Sequence, residues 1–380
     1  MKSMVTFIFS VFLINAQAKA SLLSQNDVSI LFPLPDASEI GLLLSPPTLG
    51  KHGPLLPRSI YDKLPGINPF ESEDKIYSDL RVVSLRIDPC FPLPPPAVGC
   101  QAQIRLIWQP VQINSDGKTT ALDASIHTFY NFDKNEFDLL VQKLEQLKIS
   151  SGVVTTDEAL TVNPILQKKG LSSVYAKNLF QIVLSSAGEQ RLSRITFMQL
   201  SGSGNVWNFG GFDISGGSML PMTIPRVNNA IQIFSNGVLG AVPNYFSGNI
   251  SPAPQGRDTF NLLIRNSSVI APSDKDEIAE STMSATRIEN PLNHNPHTVD
   301  CVSCHTAQSA KLWAINQYPW LWLGPRSSQF AFKSKFNLTN TSTHPEKTTS
   351  LRGFGYDGTN PAISQRVINE TAKILEDLGH

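Results

Sequence analysis

The stretch DLRVVSLRIDPCFPLPPPAVGCQAQIRLIWQ, residues 79–109, decides the fold class. Both of its ends alternate apolar and polar residues, the period-two pattern of a strand with one buried face. Val83, Leu85 and Ile87 fall on one face of the first strand, and Ile104, Leu106 and Trp108 on one face of the second. Cys90 and Cys100 bracket the proline-rich connection between them. A hairpin-like turn brings such a pair within disulfide reach. Closing so short a loop stabilises by about 2–3 kcal/mol in the chain-entropy model. The spacing therefore predicts a structural disulfide, Cys90–Cys100.

Helical periods follow the strands. DKNEFDLLVQKLEQLK, residues 133–148, has Asp133 and Glu136 in capping-box spacing, then Phe137, Leu140, Val141, Leu144 and Leu147 on one face. SSVYAKNLFQIVLSSAG, residues 172–188, predicts a second helix stopping at Gly188. RITFMQLSGSGNVWNFGGFDIS, residues 194–215, reads as a hairpin turning at Gly202-Ser203-Gly204. Its glycines make no phosphate loop, because no GK[ST] follows and no helix opens there. Upstream, residues 33–69 carry eight prolines without an apolar period, so residues 21–75 predict an extended lead-in over the surface.

The composition shifts near residue 270. APSDKDEIAEST starts a polar helix, NPLNHNPH breaks it, and DCVSCHTAQSAKLWAINQ, residues 300–317, resumes a helical register. The chain closes on Asn360 as an N-cap, Pro361 at the first helical position, and Gly379 as a C-cap. Sheet and helix in succession predict an α+β fold: a mixed domain over residues 76–270, then a small, mainly helical domain over 271–380. A chain of 380 residues exceeds one average core, which also favours two domains.

The N-terminus bounds the setting. Lys2, an apolar run from Met4 to Ala16, and Ala18-Lys19-Ala20 have the layout of a cleavable secretory signal cut after Ala20. The expected mature protein is periplasmic or secreted and carries no transmembrane anchor, since no later run offers about 18 uninterrupted apolar residues. Removing Lys2 and Lys19 takes the 31 basic residues to 29 against 31 acidic, a net charge of −2. That balance leaves no electrostatic footprint for nucleic acid. No G-x-S-x-G, H-E-x-x-H or closely spaced carboxylate pair in an apolar setting points to hydrolysis.

Chemistry concentrates in HTVDCVSCHTAQ, residues 297–308. With four cysteines and seven histidines in the chain, shuffling yields C-x-x-C-H only about once per thousand sequences. On a helix, Cys301, Cys304, His305, Gln308, Leu312 and Ile315 share one face. A porphyrin fastened through its two vinyl groups needs two sulfurs one turn apart and an imidazole just beyond them, and this spacing supplies both. A redox dithiol would need a βαβ context, but the 75 residues after His305 read as loop and helix. A zinc site would use the same three residues with His344 or His297 as the fourth ligand, though adjacent Cys304 and His305 make an awkward tetrahedral pair.

Cys301-Val302-Ser303-Cys304-His305 resembles the haem-attachment motif of c-type cytochromes. The resemblance covers the motif and the roughly 90 residues around it. It implies one covalent haem c, thioether bonds from Cys301 and Cys304, and His305 as the proximal iron ligand. Trp313, Tyr318, Trp320, Trp322, Phe330, Phe332 and Phe336 follow closely and could together wall a pocket, although each singly reads as ordinary core. The familiar downstream axial methionine is missing, because the methionines are 1, 4, 198, 219, 222 and 283. The sixth position is therefore open to His344, to Met219, Met222 or Met283 from across the interface, to His294 or His297, or to a vacancy. Arg326 and Arg352 are candidate partners for the propionates, and His52 and His127 read as residues without a role. The expected function is single-electron transfer to a redox partner protein. The alternatives are an envelope binding protein with a structural haem or metal, and a haem sensor or peroxidase-like enzyme with an open sixth site.

Overall fold

The computed structural model describes residues 22–152, 158–200, 206–225, 227, 229–235, 260–264, 273–321, 328–342, 351 and 353–379. The expected signal segment, the Gly202-Ser203-Gly204 turn, Trp322, Arg326, His344 and Arg352 lie outside the described residues.

Alternating sequence becomes one large antiparallel sheet. Its strands are Ser29–Leu31 (β1), Leu80–Pro92 (β2), Cys100–Ile113 (β3), Thr119–Ala121 (β4), Ser125–Phe132 (β5), Leu192–Leu200 (β6), Val206–Ser215 (β7), Ser218–Pro221 (β8) and Ile231–Ser235 (β9). The path runs β1-β2-β3-β5-β6-β7, with β4 on β3 and with β8 and β9 sharing the far edge of β7. Cys90 and Cys100 form the expected disulfide at the turn end of the β2–β3 hairpin. Leu85 and Ile87 meet Ile104, Leu106 and Trp108 on one face. Val83 does not join them: a bulge between Val82 and Ser84 inserts a residue and turns Val83 to the opposite face.

The first face is closed by Lys134–Ser151 (α1) and Val174–Leu184 (α2). Asp133 caps α1 by accepting from the Glu136 amide at 2.9 Å, and Gly152 ends it in a left-handed conformation at φ 71°. Phe137, Leu140, Leu144 and Leu147 are buried at the expected intervals, each contributing about 1.5–3 kcal/mol of apolar burial. Helix α2 is shorter than expected, ending at Leu184 rather than at Gly188.

The proline-rich lead-in is not a surface strap. Leu43, Leu44, Leu55, Leu56 and Ile67 sit in the main core, and residues 24–31 are buried throughout. Proline removes amide donors and restricts the backbone, but it leaves the intervening leucines free to pack. A buried ion pair between Asp27 and Lys148 of α1 pins this segment.

The second face carries Lys275–Glu289 (α3), Cys301–Gln317 (α4), Gln365–Asp377 (α5) and the hairpin Phe354–Asp357 (β10) with Asn360–Ile363 (β11). Asn360 and Pro361 thus lie in a strand instead of opening the last helix, which starts one turn later with Ser364 as its N-cap. The cause is the Asp357-Gly358 turn, where Gly358 adopts φ 63° and returns the chain on itself. Gly379 is left-handed beyond the end of α5, as expected. The described residues of 273–379 pack on the face of the sheet formed by the upstream strands. Met198, Trp207 and Phe209 pack with α3 and α4, while Val83 and Ile107 pack with β10, β11 and α5. Among the described residues no helix is long and apolar enough to cross a membrane.

Candidate functional site

Helix α4 begins at the motif. Asp300, wholly buried, caps it by accepting from the Ser303 amide at 2.9 Å. Gln232 of β9 fixes the same turn from the sheet: its Nε2 donates to Asp300 Oδ1 at 2.8 Å, and its Oε1 accepts from the Val302 amide at 3.0 Å. This clamped turn presents Cys301, Cys304 and His305 to a single cavity, and both cysteines are free thiols. Gln308, on the same face one turn on, accepts from the Gln365 amide at 2.6 Å and so ties α4 to the start of α5.

His305 is oriented by two contacts. Its Nδ1 donates to the Leu351 carbonyl oxygen at 2.5 Å, and its ring centroid lies 5.0 Å from that of Phe209. A carbonyl oxygen only accepts, so Nδ1 carries a proton, which in the neutral ring puts the lone pair on Nε2.

The cavity exists because the second face is packed in two separate patches. One apolar cluster lies under α3 and α4, another under β10, β11 and α5, and the sheet between them is left uncovered by apolar side chains. Counting the part open to solvent, the space is about 1180 Å³. Its floor is polar in an ordered way. Across four strand pairings the register runs Arg86, Arg105, Phe129, Arg194, Asp213, a single rung with three guanidiniums.

Carboxylates serve only the ends of that rung. Arg86 binds Glu370 Oε2 of α5 at 2.5 Å, and Arg194 binds Asp213 Oδ1 at 2.7 Å. Arg366 takes the other oxygen of Glu370 at 2.7 Å and donates to the Ile288 and His294 carbonyls. Burial alone would raise the Glu370 carboxyl, but Arg86, Arg366 and Arg105 together hold it below the usual carboxylate range. Among the described residues no carboxylate forms an ion pair with Arg105.

The thiols are not thiolates. Burial raises both, and Asp300 adds to the effect at Cys301; Cys304 is pushed up to about 11 and Cys301 further. A helix N-terminus ordinarily lowers a thiol. Here desolvation wins, which removes the activated sulfur a dithiol oxidoreductase needs. Nor, among the described residues, do three histidine, cysteine or acidic side chains converge as metal ligands. The zinc reading therefore lacks its geometry in that part of the chain.

Other residues weighed from sequence are redistributed. His294 is buried away from the cavity, and His297 Nε2 donates to the Pro92 carbonyl at 3.1 Å. Met283 and Met198 belong to the core under α3 and α4, and Met219 packs against the core of the first face. Met222 does line the cavity: its amide donates to the Gly211 carbonyl at 2.9 Å, and a Cβ on Gly211 would come within 2.8 Å of its sulfur. Gly211 lies two residues, about 7 Å, along β7 from the Phe209 that supports His305. His127, expected to be without a role, also lines the cavity. Trp313, Tyr318 and Trp320 stack on one another elsewhere, and the aromatic walls come instead from Phe91, Phe129 and Phe354.

Sequence reading missed Arg86, Arg105, Arg366 and Glu370. One signal was available: Arg86 and Arg105 occupy mirrored places in the β2–β3 hairpin, and like charges directly opposite are unfavourable without an anion between them. Compared with protein-family models, with curated proteins and with solved structures, the chain matches none.

Proposed function

We propose that this chain is an exported, periplasmic monohaem c-type protein that passes single electrons to a partner protein. The observation that carries the reading is that all three motif side chains line one cavity whose walls are largely apolar. In the proposal Cys301 and Cys304 form the two thioether bonds and His305 binds the iron through Nε2, while the Leu351 carbonyl fixes the ring. When bound, the haem supplies a one-electron ferric–ferrous couple.

The remaining walls do the protein's own work. Phe91, Phe129, Ile107 and Phe354 exclude water from one side, and Phe209 supports the imidazole. Met222 brings a thioether into the same space and would be the chain's candidate second ligand to the iron. The two half-buried thiols, raised by desolvation, disfavour reversible dithiol exchange. The Cys90–Cys100 disulfide is consistent with an oxidising compartment.

The test is a visible spectrum of the chain produced alongside haem-attachment machinery, oxidised and reduced, with carbon monoxide added to the reduced form. A low-spin spectrum, reversible one-electron titration and no response to carbon monoxide support the proposal. An immediate spectral shift with carbon monoxide favours a sensor or peroxidase-like enzyme instead.

A further inference from the structure

We infer that Arg105 is the anchor for a carboxylate carried by the occupant of the cavity. The sheet sets three guanidiniums on one rung, and Arg105 is the middle one. Its direct neighbour across the β2–β3 ladder is Arg86, so each raises the cost of charging the other. Arg86 is relieved by Glu370 and Arg194 by Asp213. Among the described residues Arg105 makes no hydrogen bond and no ion pair, and its Nε is buried without a partner.

What holds Arg105 is aromatic. Its guanidinium lies 4.5 Å from the Phe129 centroid and 5.5 Å from that of Phe91, and Phe91 also faces Arg194 at 5.9 Å. Ring faces orient a cation without satisfying its donors. Burial and Arg86 together push the Arg105 guanidinium down to about 9, far below the ordinary arginine value. Arg105 is half-buried, and leaving its Nε buried without an acceptor carries a desolvation cost. The cavity it faces is lined by four arginines against two carboxyls, Asp300 and Glu370, so the vacant acceptor place calls for an anion. The planar fork matches a carboxylate best, because two parallel N–H···O bonds can form at once.

The identity of the occupant rests on the haem reading above, in which the carboxylate is a propionate; a free carboxylic acid would use the same chemistry. The test uses full-length chains with Cys301→Ala and Cys304→Ala, purified without cofactor, carrying Arg105, R105M or R105K. R105M keeps the apolar stem over Phe129 and removes the charge, and unchanged melting of the empty chain establishes that it folds. Each chain is titrated with protohaem and with protohaem dimethyl ester. The inference expects protohaem to bind the Arg105 chain at least tenfold more tightly than R105M, with R105K between them and the ester insensitive to all three. Equal protohaem affinity for Arg105 and R105M overturns the anchor while leaving the haem reading intact. If no chain binds protohaem once the thioethers are gone, the haem reading is decided by the intact mass of the wild-type chain, and benzoate decides the anchor. Thermal stabilisation of the Arg105 chain alone supports a free carboxylate, and stabilisation of neither or both overturns it.

Discussion

The Nδ1 of His305 and the carbonyl oxygen of Leu351 lie 2.5 Å apart, across the gap between α4 and the chain entering β10. That bond sets the tautomer and aims the ring, which a free side chain on a helix surface would leave undetermined. In the haem-loaded protein, His305→Gln is expected to keep the thioether attachment but lose the low-spin spectrum. Haem staining beside a visible spectrum checks both halves. An unchanged spectrum would remove His305 from the iron.

Met222 is placed by Gly211. A Cβ at residue 211 would meet the Ile195 carbonyl at 2.8 Å, the Met222 sulfur at 2.8 Å and Thr196 Cγ2 at 3.0 Å, and the backbone oxygen cannot yield cheaply. Gly211→Ala is therefore expected to cost about 1–3 kcal/mol in urea unfolding, as overpacking does. Met222→Ala should be nearly neutral in stability, yet in the reduced, loaded protein it should open the iron to carbon monoxide. Carbon monoxide binding equally to wild type and M222A contradicts the assignment.

The thiols predict an alkylation profile. Burial raises Cys304 to about 11 and Cys301 beyond it, so the thiolate fraction at neutral pH is small. In cofactor-free chain the iodoacetamide rate should still be climbing at pH 10. A plateau below pH 9 would mean activated sulfurs and would revive the dithiol reading.

Glu370 gives the fold an acid limit. Its carboxyl is held low in the folded protein by Arg86, Arg366 and Arg105, whereas in the unfolded chain it titrates near ~4.3. The stabilisation is therefore full above that unfolded value and fades as pH falls below it toward the folded one. Asp88 and Asp300, raised by burial, act in the opposite sense. Glu370→Gln should destabilise by about 3 kcal/mol at pH 7, since it leaves two buried guanidiniums uncompensated. Urea midpoints at pH 7 and 3.5 test this, and a gap of equal size at both would contradict it.

Much of this architecture is legible locally. Alternation in β3 and, past the bulge at Val83, in β2, the Asp133 cap of α1 and the spacing of Cys90 and Cys100 each concern neighbours in sequence, and these appear as expected. The cavity is different. Arg86 and Arg105 alternate with apolar residues just as solvent-facing residues do, and nothing near them announces that α4 and α5, far downstream, will roof that face. The aromatic run after the motif misleads for the same reason. Trp313, Tyr318 and Phe330 pack against the core under α4, Phe336 packs against the other core and Trp320 is exposed, while the rings that wall the cavity are scattered over β2, β5 and β10. Asn360-Pro361 has the chemistry of a helix start, but the Asp357-Gly358 turn just before it returns the chain as a hairpin and delays α5 to Ser364.

The most direct measurement is the intact mass of the purified chain after production in a host that attaches haem to exported proteins. The account predicts a polypeptide heavier by one haem, with the added mass lost in the C301A/C304A double variant. A chain that carries only polypeptide mass under those conditions would contradict it.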